Sequence, residues 1–106
     1  MRKVFVSDAV RNKIIDIRDY LVIELNLSED AAYKRIERMR EFISSFSSPV
    51  NYPLCRFKRW HELKYRCAVF EKTWVFAYEI FENGIIVRDL AHTTILMECN
   101  HPVNPI

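Results

Sequence analysis

The sequence predicts an α+β domain in which a helical hairpin packs on one face of an antiparallel sheet. In the first half of the chain the apolar residues are spaced by three and four, which places them on one face of a helix. After the proline-bearing segment 47–53, apolar and polar residues alternate, and β-branched and aromatic residues become frequent. The predicted element order is therefore β-α-α-β-β-β.

The first predicted elements are a short apolar strand, 4–6, and two helices. Ser7 and Ser28 precede the two helical stretches and have the side chain that best caps a helix N-terminus. Only a few residues around Asn26 separate the stretches, which favours an antiparallel hairpin. The apolar stripes are Val10, Ile14, Ile17 and Leu21 in the first helix, and Ala32, Ile36, Met39 and Ile43 in the second.

Three strands are predicted in the second half, within the stretches "ELKYRCAVF", "TWVFAYEIF" and "IIVRDL". Asn83-Gly84 lies between the last two and is a strong signal for a two-residue hairpin turn. Centred there, the turn would pair Phe81 with Ile86 and Glu79 with Arg88.

Alternation along the strands then predicts which side chains face the helices. We expect Leu63, Tyr65, Cys67 and Val69 on the helix side in one strand, and Trp74, Phe76, Tyr78 and Ile80 in the next. The open face would carry Lys64, Arg66, Val75, Ala77, Glu79, Phe81, Ile86, Arg88, Leu90 and His92.

That open face is the predicted functional surface, because cations on it outnumber acids and apolar residues lie between them. Cross-strand charge rows around Glu79 are also ordinary stabilisers of a sheet, and this alternative stays open. The predicted partner-binding residues are Lys64, Arg66, Val75, Ala77, Phe81, Ile86, Arg88 and Leu90.

Length and composition limit the class of protein. We expect a single domain over 1–106, with its core at about 3–96 and a loose tail at 97–106. The chain is 50% hydrophobic, which disfavours disorder, and its net charge of +2 disfavours a protein that coats polyanions over its whole surface. We expect a cytoplasmic protein without a membrane segment, since nothing resembles a signal peptide and no apolar run approaches about 18 residues.

The cysteines and histidines predict neither a disulfide framework nor a metal site. Cys55, Cys67 and Cys99 are odd in number and far apart, so a reduced intracellular protein is expected, with Cys67 as a small core residue. Cys99-x-His101 with His92 or Cys55 lacks a zinc-site spacing. A single glycine excludes a glycine-rich phosphate loop, and no cofactor is expected.

Several stretches also match a known family in their order. They are "VFVSDAVRNKIIDIRDYLV", "SEDAAYKRIERMREFISSF", "SSPVNYP" and "YRCAVFEKTWVFAYEIFENGIIVRDLAH", spread over residues 3–96. Together they resemble the RelE/ParE superfamily of bacterial type II toxins. The resemblance implies a growth inhibitor that a cognate antitoxin protein wraps and neutralises. It implies either ParE-like contact with DNA gyrase or RelE-like cleavage of mRNA on the ribosome.

The ParE-like branch fits better, because the RelE-like set of residues is incomplete. If the chain were a ribonuclease, its catalytic residues would be Lys64, Arg66, Arg88 and His92. Phe70 stands where the RelE pattern has a further arginine, and no arginine or tyrosine follows His92. Stabilising a cleaving phosphodiester needs several preorganised cations. A third alternative is a non-toxic binding module of the same fold.

Overall fold

The computed structural model describes residues 2–93. Its helices are α1 (Asp8–Ile23), α2 (Glu29–Ser44) and α3 (Lys58–Glu62), with a 3-10 turn at Ser45–Ser47. Its strands are β1 (Lys3–Val6), β2 (Arg66–Phe70), β3 (Trp74–Phe81) and β4 (Gly84–His92). The expected α+β architecture is confirmed, and the loose tail predicted at 97–106 lies outside the described residues.

The four strands form one mixed sheet in the order β1-β4-β3-β2. The pairs β2–β3 and β3–β4 are antiparallel as expected, whereas β1 pairs with β4 in parallel, from Lys3 opposite Gly84 to Val6 opposite Val87. A parallel pair needs a long crossover connection, and here the helices and the other strands supply it. In the strand order β1-β4-β3-β2, the first strand lies at one edge of the sheet.

Helices α1 and α2 form the predicted hairpin on one face of this sheet. The hydroxyl oxygen of Ser7 accepts a hydrogen bond from the Val10 N–H, and that of Ser28 accepts one from the Ala31 N–H. Asn26, with φ 56°, makes the turn between the helices. All eight stripe residues are buried in the main core. The sequence prediction for both helices is confirmed.

The main core lies between the hairpin and the sheet. Its aromatic centre is Phe46, which is 1% exposed and whose ring stacks on that of Tyr78 at a centroid distance of 5.0 Å. Phe42 and Phe76 close the cluster. No helix among the described residues is long and apolar enough to span a bilayer.

The hairpin turn between β3 and β4 lies one residue earlier than predicted. Phe81 pairs with Gly84, so Glu82 and Asn83 form the two-residue loop, and Gly84 is the first residue of the strand. The predicted pairings of Phe81 with Ile86 and of Glu79 with Arg88 are therefore wrong by two residues. A shift of two preserves the alternation, so Ile86 faces away from the helices as predicted.

The facing predicted for β2 is reversed. Three residues, 71–73, connect Phe70 to its partner Trp74, where a loop of even length was expected. Arg66 consequently pairs with Tyr78, and Arg66 and Ala68 lie on the side of the helices. Cys67 lies on the opposite side, against the expectation that it belongs to the helix-facing core.

A β-bulge at Arg88 reverses the end of β4. Val87 pairs with Tyr78 and Asp89 with Ala77, so Arg88 is the extra residue. Beyond a bulge the alternation of a strand is shifted by one residue. Leu90 is therefore in the helix-facing core, and His92 contacts Trp74 edge to face on the same side. Both residues were predicted on the open face, and both predictions are wrong.

The segment 53–65, which we call the α3 loop, packs on the face of the sheet turned away from α1 and α2, the outer face. Trp60 of α3 is 4% exposed and forms a second, smaller core with Val75 and Ala77 of β3. A disulfide joins Cys55 of this loop to Cys67 of β2. The expectation of unpaired cysteines, and of a strand extending through residues 62–65, is corrected here.

Candidate functional site

The α3 loop covers part of the predicted partner-binding face. Val75 and Ala77 point away from the helices as predicted, but the loop covers them, and they are 2% and 0% exposed. With Leu90 turned into the main core, three of the predicted contact residues are inaccessible. One part of the outer face that stays uncovered, here the open outer face, comprises Phe5, Glu79, Phe81, Ile86 and Arg88.

The open outer face combines an aromatic pair with an ion pair. The rings of Phe5 and Phe81 lie 5.8 Å apart, and these side chains are 45% and 40% exposed. Arg88 Nε donates to Glu79 Oε1 at 2.9 Å. Arg88 lies two residues beyond Ile86, the backbone partner of Glu79, so the two charged side chains are diagonal neighbours on this face. An exposed ion pair of this kind contributes about 0–1 kcal/mol to stability.

The four residues considered for ribonuclease chemistry do not converge. Lys64 is exposed and follows α3 with φ 62°. Arg66 lies on the helix side of the sheet, where its Nη1 donates to the Tyr52 carbonyl at 2.9 Å. Arg88 is paired with Glu79 on the outer face, whereas His92 packs against Trp74 on the helix side. Lys64 and Arg66 nevertheless line one pocket together with Glu79, the ion-pair partner of Arg88, whereas His92 lines a different pocket. The four groups therefore do not surround one scissile phosphate.

A groove that was not predicted lies between β1 and the helical hairpin. Its volume is about 520 Å³. The floor is apolar, and two guanidinium groups, those of Arg11 and Arg40, stand among the lining residues. We call it the β1 groove; it is lined by Val4, Val6, Arg11, Ile14, Ile15, Arg40, Ile43 and Ser44.

The unpaired edge of β1 runs beside this groove. Within the described chain β1 has one strand neighbour, β4, so its other edge is open. An open edge can accept an extended peptide as an additional strand, with neighbouring pockets selecting alternate side chains. Ile15, on the helix side of the groove, is 55% exposed and offers apolar contact area. Groove and edge together suit an extended or helical segment with both apolar and acidic side chains.

The α3 loop carries a further group of charges on its outer surface. Arg56, Lys58, Arg59 and Lys64 are exposed, and Glu62 is the acid among them. No ion pair within residues 2–93 involves any of these four cations. Helix α3 is thus a short amphipathic helix with Trp60 inward and Lys58 and Arg59 outward, and Arg56 and Lys64 lie on either side of it.

Sequence reasoning missed the β1 groove because its residues come from three separate elements. The parallel pairing of β1 with β4 creates it, and parallel pairing leaves no turn signature in the sequence. The sequence did place Arg11 and Ile15 beside the buried Ile14 on helix α1, where both side chains line the groove. Exposed flanking residues are too common on helices to identify a groove by themselves.

Among residues 2–93 no three histidine, cysteine or acidic side chains lie close enough to hold a metal ion. The Cys99-x-His101 pair lies outside the described residues. No family model matches the sequence, and neither a curated protein nor a solved structure shows significant similarity to it. We therefore infer the function from the fold, from the open outer face, the β1 groove and the charges of the α3 loop, and from the resemblance noted in the sequence.

Proposed function

We propose that this chain is the toxin of a bacterial type II toxin–antitoxin pair, acting in the cytoplasm and neutralised by a cognate antitoxin protein. The observation that carries the proposal is the β1 groove beside an open strand edge. An antitoxin segment with apolar and acidic side chains would bury the floor formed by Val4, Ile14 and Ile43 and pair with Arg11 and Arg40.

The target in this proposal is DNA gyrase, reached by protein contact as in ParE-like toxins. The separation of His92 from Lys64, Arg66 and Arg88 supports contact over catalysis, since a ribonuclease would need all of these groups around one phosphate. The open outer face offers an aromatic pair, Phe5 and Phe81, with an arginine beside it. Aromatic residues and arginine are enriched at the energetic centres of protein interfaces.

RelE-like cleavage of ribosome-bound mRNA is the second candidate. The observation in its favour is the group of unpaired cations on the α3 loop, because exposed lysines and arginines bind the phosphate backbone of nucleic acids. A non-toxic binding module of the same fold is the third candidate, which needs no target at all.

Three measurements separate these candidates. Induced expression in a bacterial host should arrest growth; normal growth would support the binding module. The purified chain should then inhibit supercoiling of a relaxed plasmid by gyrase and leave ribosome-bound message intact. Cleavage of message with gyrase untouched would replace the lead proposal with the RelE-like one.

The antitoxin site is tested by reversing its charge. We expect Arg11→Glu with Arg40→Glu to weaken binding of the cognate antitoxin by about 10-fold or more, because two favourable charge contacts become repulsive. Arg18→Glu, on an exposed position of α1 outside the groove, is the matched control. Affinity is measured by titration calorimetry at two salt concentrations. Equal weakening by the control and the double variant would remove the groove from the proposal.

A further inference from the structure

The Cys55–Cys67 disulfide lies outside the main core and holds one element in place. It connects the α3 loop to the edge strand β2. The main core has 16 buried residues and contains neither cysteine, whereas the second core has four buried residues and Cys55 is one of them. The packing of α1 and α2 on the sheet does not depend on this bond.

The two sulfur-bearing residues differ in their access to solvent. Cys55 is 1% exposed beneath the loop, while Cys67 is half-buried on β2. Of the two residues, Cys67 is therefore the more accessible to a thiolate in solution. Thiol–disulfide exchange depends on access to the attacked sulfur, so this asymmetry sets the direction of attack.

Few other contacts fasten the loop. The Cys67 N–H donates to the Pro53 carbonyl at 3.1 Å, whereas the bond from the Cys55 N–H to the Tyr65 carbonyl joins two residues of the loop itself. Tyr52, immediately before the loop, is held by the Tyr78 hydroxyl and the Arg66 guanidinium. Trp60 supplies most of the apolar packing, in contact with the small side chains of the outer face. A covering segment with a small core and few hydrogen bonds belongs to the low-stability part of a protein and opens locally.

We propose that Cys55–Cys67 is a redox-modification site whose reduction by a dithiol releases the α3 loop from the outer face. One thiolate of the dithiol attacks Cys67 Sγ, the S–S bond breaks, and Cys55 leaves as a thiolate that takes up a proton. The second thiol of the dithiol then attacks the mixed disulfide and frees Cys67. The protein gains two electrons and two protons, and the dithiol becomes a disulfide.

Release of the loop changes the outer face in two ways. It uncovers Val75 and Ala77, which then extend the apolar surface from Phe81 and Ile86. It also frees the exposed cations of the loop to move away from the sheet. Reducing compartments keep most structural disulfides from persisting, and those that form there are usually catalytic or redox-sensing. This inference stands on the loop and its bond and is independent of the proposed toxin function.

Hydrogen exchange of the full-length chain tests the proposal, with Cys99→Ser as the background so that only the pair can react. Reduction should speed exchange of the Cys55, His61 and Tyr65 amides on the order of 100-fold, the effect expected when a loop of this length loses its crosslink. Amides in the centre of α2 should change by less than about two-fold. Unchanged loop amides, or equal acceleration in α2, would overturn the proposal.

A second measurement follows Trp60 directly. In a Trp74→Phe background, acrylamide should quench the fluorescence of Trp60 weakly when the pair is oxidised and strongly when it is reduced. Cys55→Ser with Cys67→Ser should behave like the reduced form and ignore reductant. In the Cys99→Ser chain, no thiol should react with a thiol-specific dye before reduction. Two reactive thiols in that unreduced chain would show that the bond does not form and would end the proposal.

Discussion

At Gly84 the last strand begins directly against the backbone of the first. The residue has φ 156°, and a Cβ placed on it would overlap the Lys3 carbonyl oxygen. The nearest atoms are backbone, which cannot rotate away as a side chain can. Glycine is required here by the close approach of β1, in addition to its position next to the hairpin turn.

Gly84→Ala should lower the free energy of unfolding by about 1–3 kcal/mol, because β1 must shift to admit the methyl group. Chemical denaturation of the two proteins measures the difference. Asn83→Ala, in the adjoining turn, should change stability by less than about 0.5 kcal/mol. An equal loss for both variants would assign the effect to the turn and not to the approach of β1.

Tyr78 is a second position where one atom matters. The side chain is fully buried, and its hydroxyl oxygen accepts a hydrogen bond from the Tyr52 N–H at 2.9 Å. Alternation predicted that Tyr78 faces the helices, and this is confirmed. The partner of its hydroxyl was not predictable, because it lies 26 residues away in a segment without regular structure.

Tyr78→Phe should cost about 1–2 kcal/mol, since the Tyr52 N–H would be left without an acceptor in a partly buried site. Thermal and denaturant unfolding give the change in stability. Tyr20→Phe, whose side chain is 44% exposed, is the control and should leave stability unchanged. A loss below 0.3 kcal/mol for Tyr78→Phe would mean that water replaces the hydroxyl.

At the scale of elements, both long helices were predictable and two of the four strands were misplaced in facing. The helix signals are local: a serine cap and apolar residues at spacings of three and four determine each helix within its own sequence. Which side chains of a strand face the core depends on its register with the partner strand, so one extra residue in a turn or bulge reverses the facing of all that follow. The three-residue turn 71–73 and the bulge at Arg88 each supply one such residue, which reversed Arg66 and His92.

The end of the α3 loop, residues 62–65, was mistaken for part of a strand for a related reason. Helix α3 has only five residues, and one of them, Trp60, is buried, so it shows no helical period. Glu71 and Lys72, in the turn that follows β2, both have positive φ angles. Such angles favour glycine or asparagine, so these two residue types did not indicate the turn in the sequence.

The caps make a quantitative prediction for α2. Ser28→Ala should destabilise the protein by about 1 kcal/mol, because the Ala31 N–H loses its acceptor at the helix start. Ser44→Ala, in the last turn of the same helix and exposed, should be neutral or slightly stabilising because alanine has the higher helix propensity. Urea denaturation of both variants distinguishes the loss of the cap from the general effect of replacing a serine of this helix with alanine. Equal effects would show that the Ser28 cap contributes nothing.

At the scale of the molecule, two cores of unequal size lie on the two faces of one sheet. Phe46 joins the 3-10 turn to the centre of the larger core. It contacts the rings of Phe42, Tyr52, Phe76 and Tyr78. The segment 47–53 was expected only to separate the two halves of the chain; its Tyr52 also packs in this core, against the ring of Phe46.

Phe46→Ala should lower stability by about 3–5 kcal/mol, the range found when a large aromatic side chain is removed from a core. This is a large share of the about 5–15 kcal/mol that a domain of this size has in total. Val69→Ala removes a side chain of the outer face that is 54% exposed and should cost below about 1 kcal/mol. A small loss at Phe46 would show that the aromatic cluster repacks around the gap.

The parallel pairing of β1 with β4 has a consequence for the synthesis of the protein. Residues 3–6 leave the ribosome early, but their partners, residues 84–87, are about 80 residues behind them. At roughly 5–20 residues per second, the first strand waits about 4–16 seconds for its partner. During translation the apolar side chains of β1 can be sheltered only by the hairpin of α1 and α2. The sheet itself closes as a late event, when β4 inserts between two strands that have already been made.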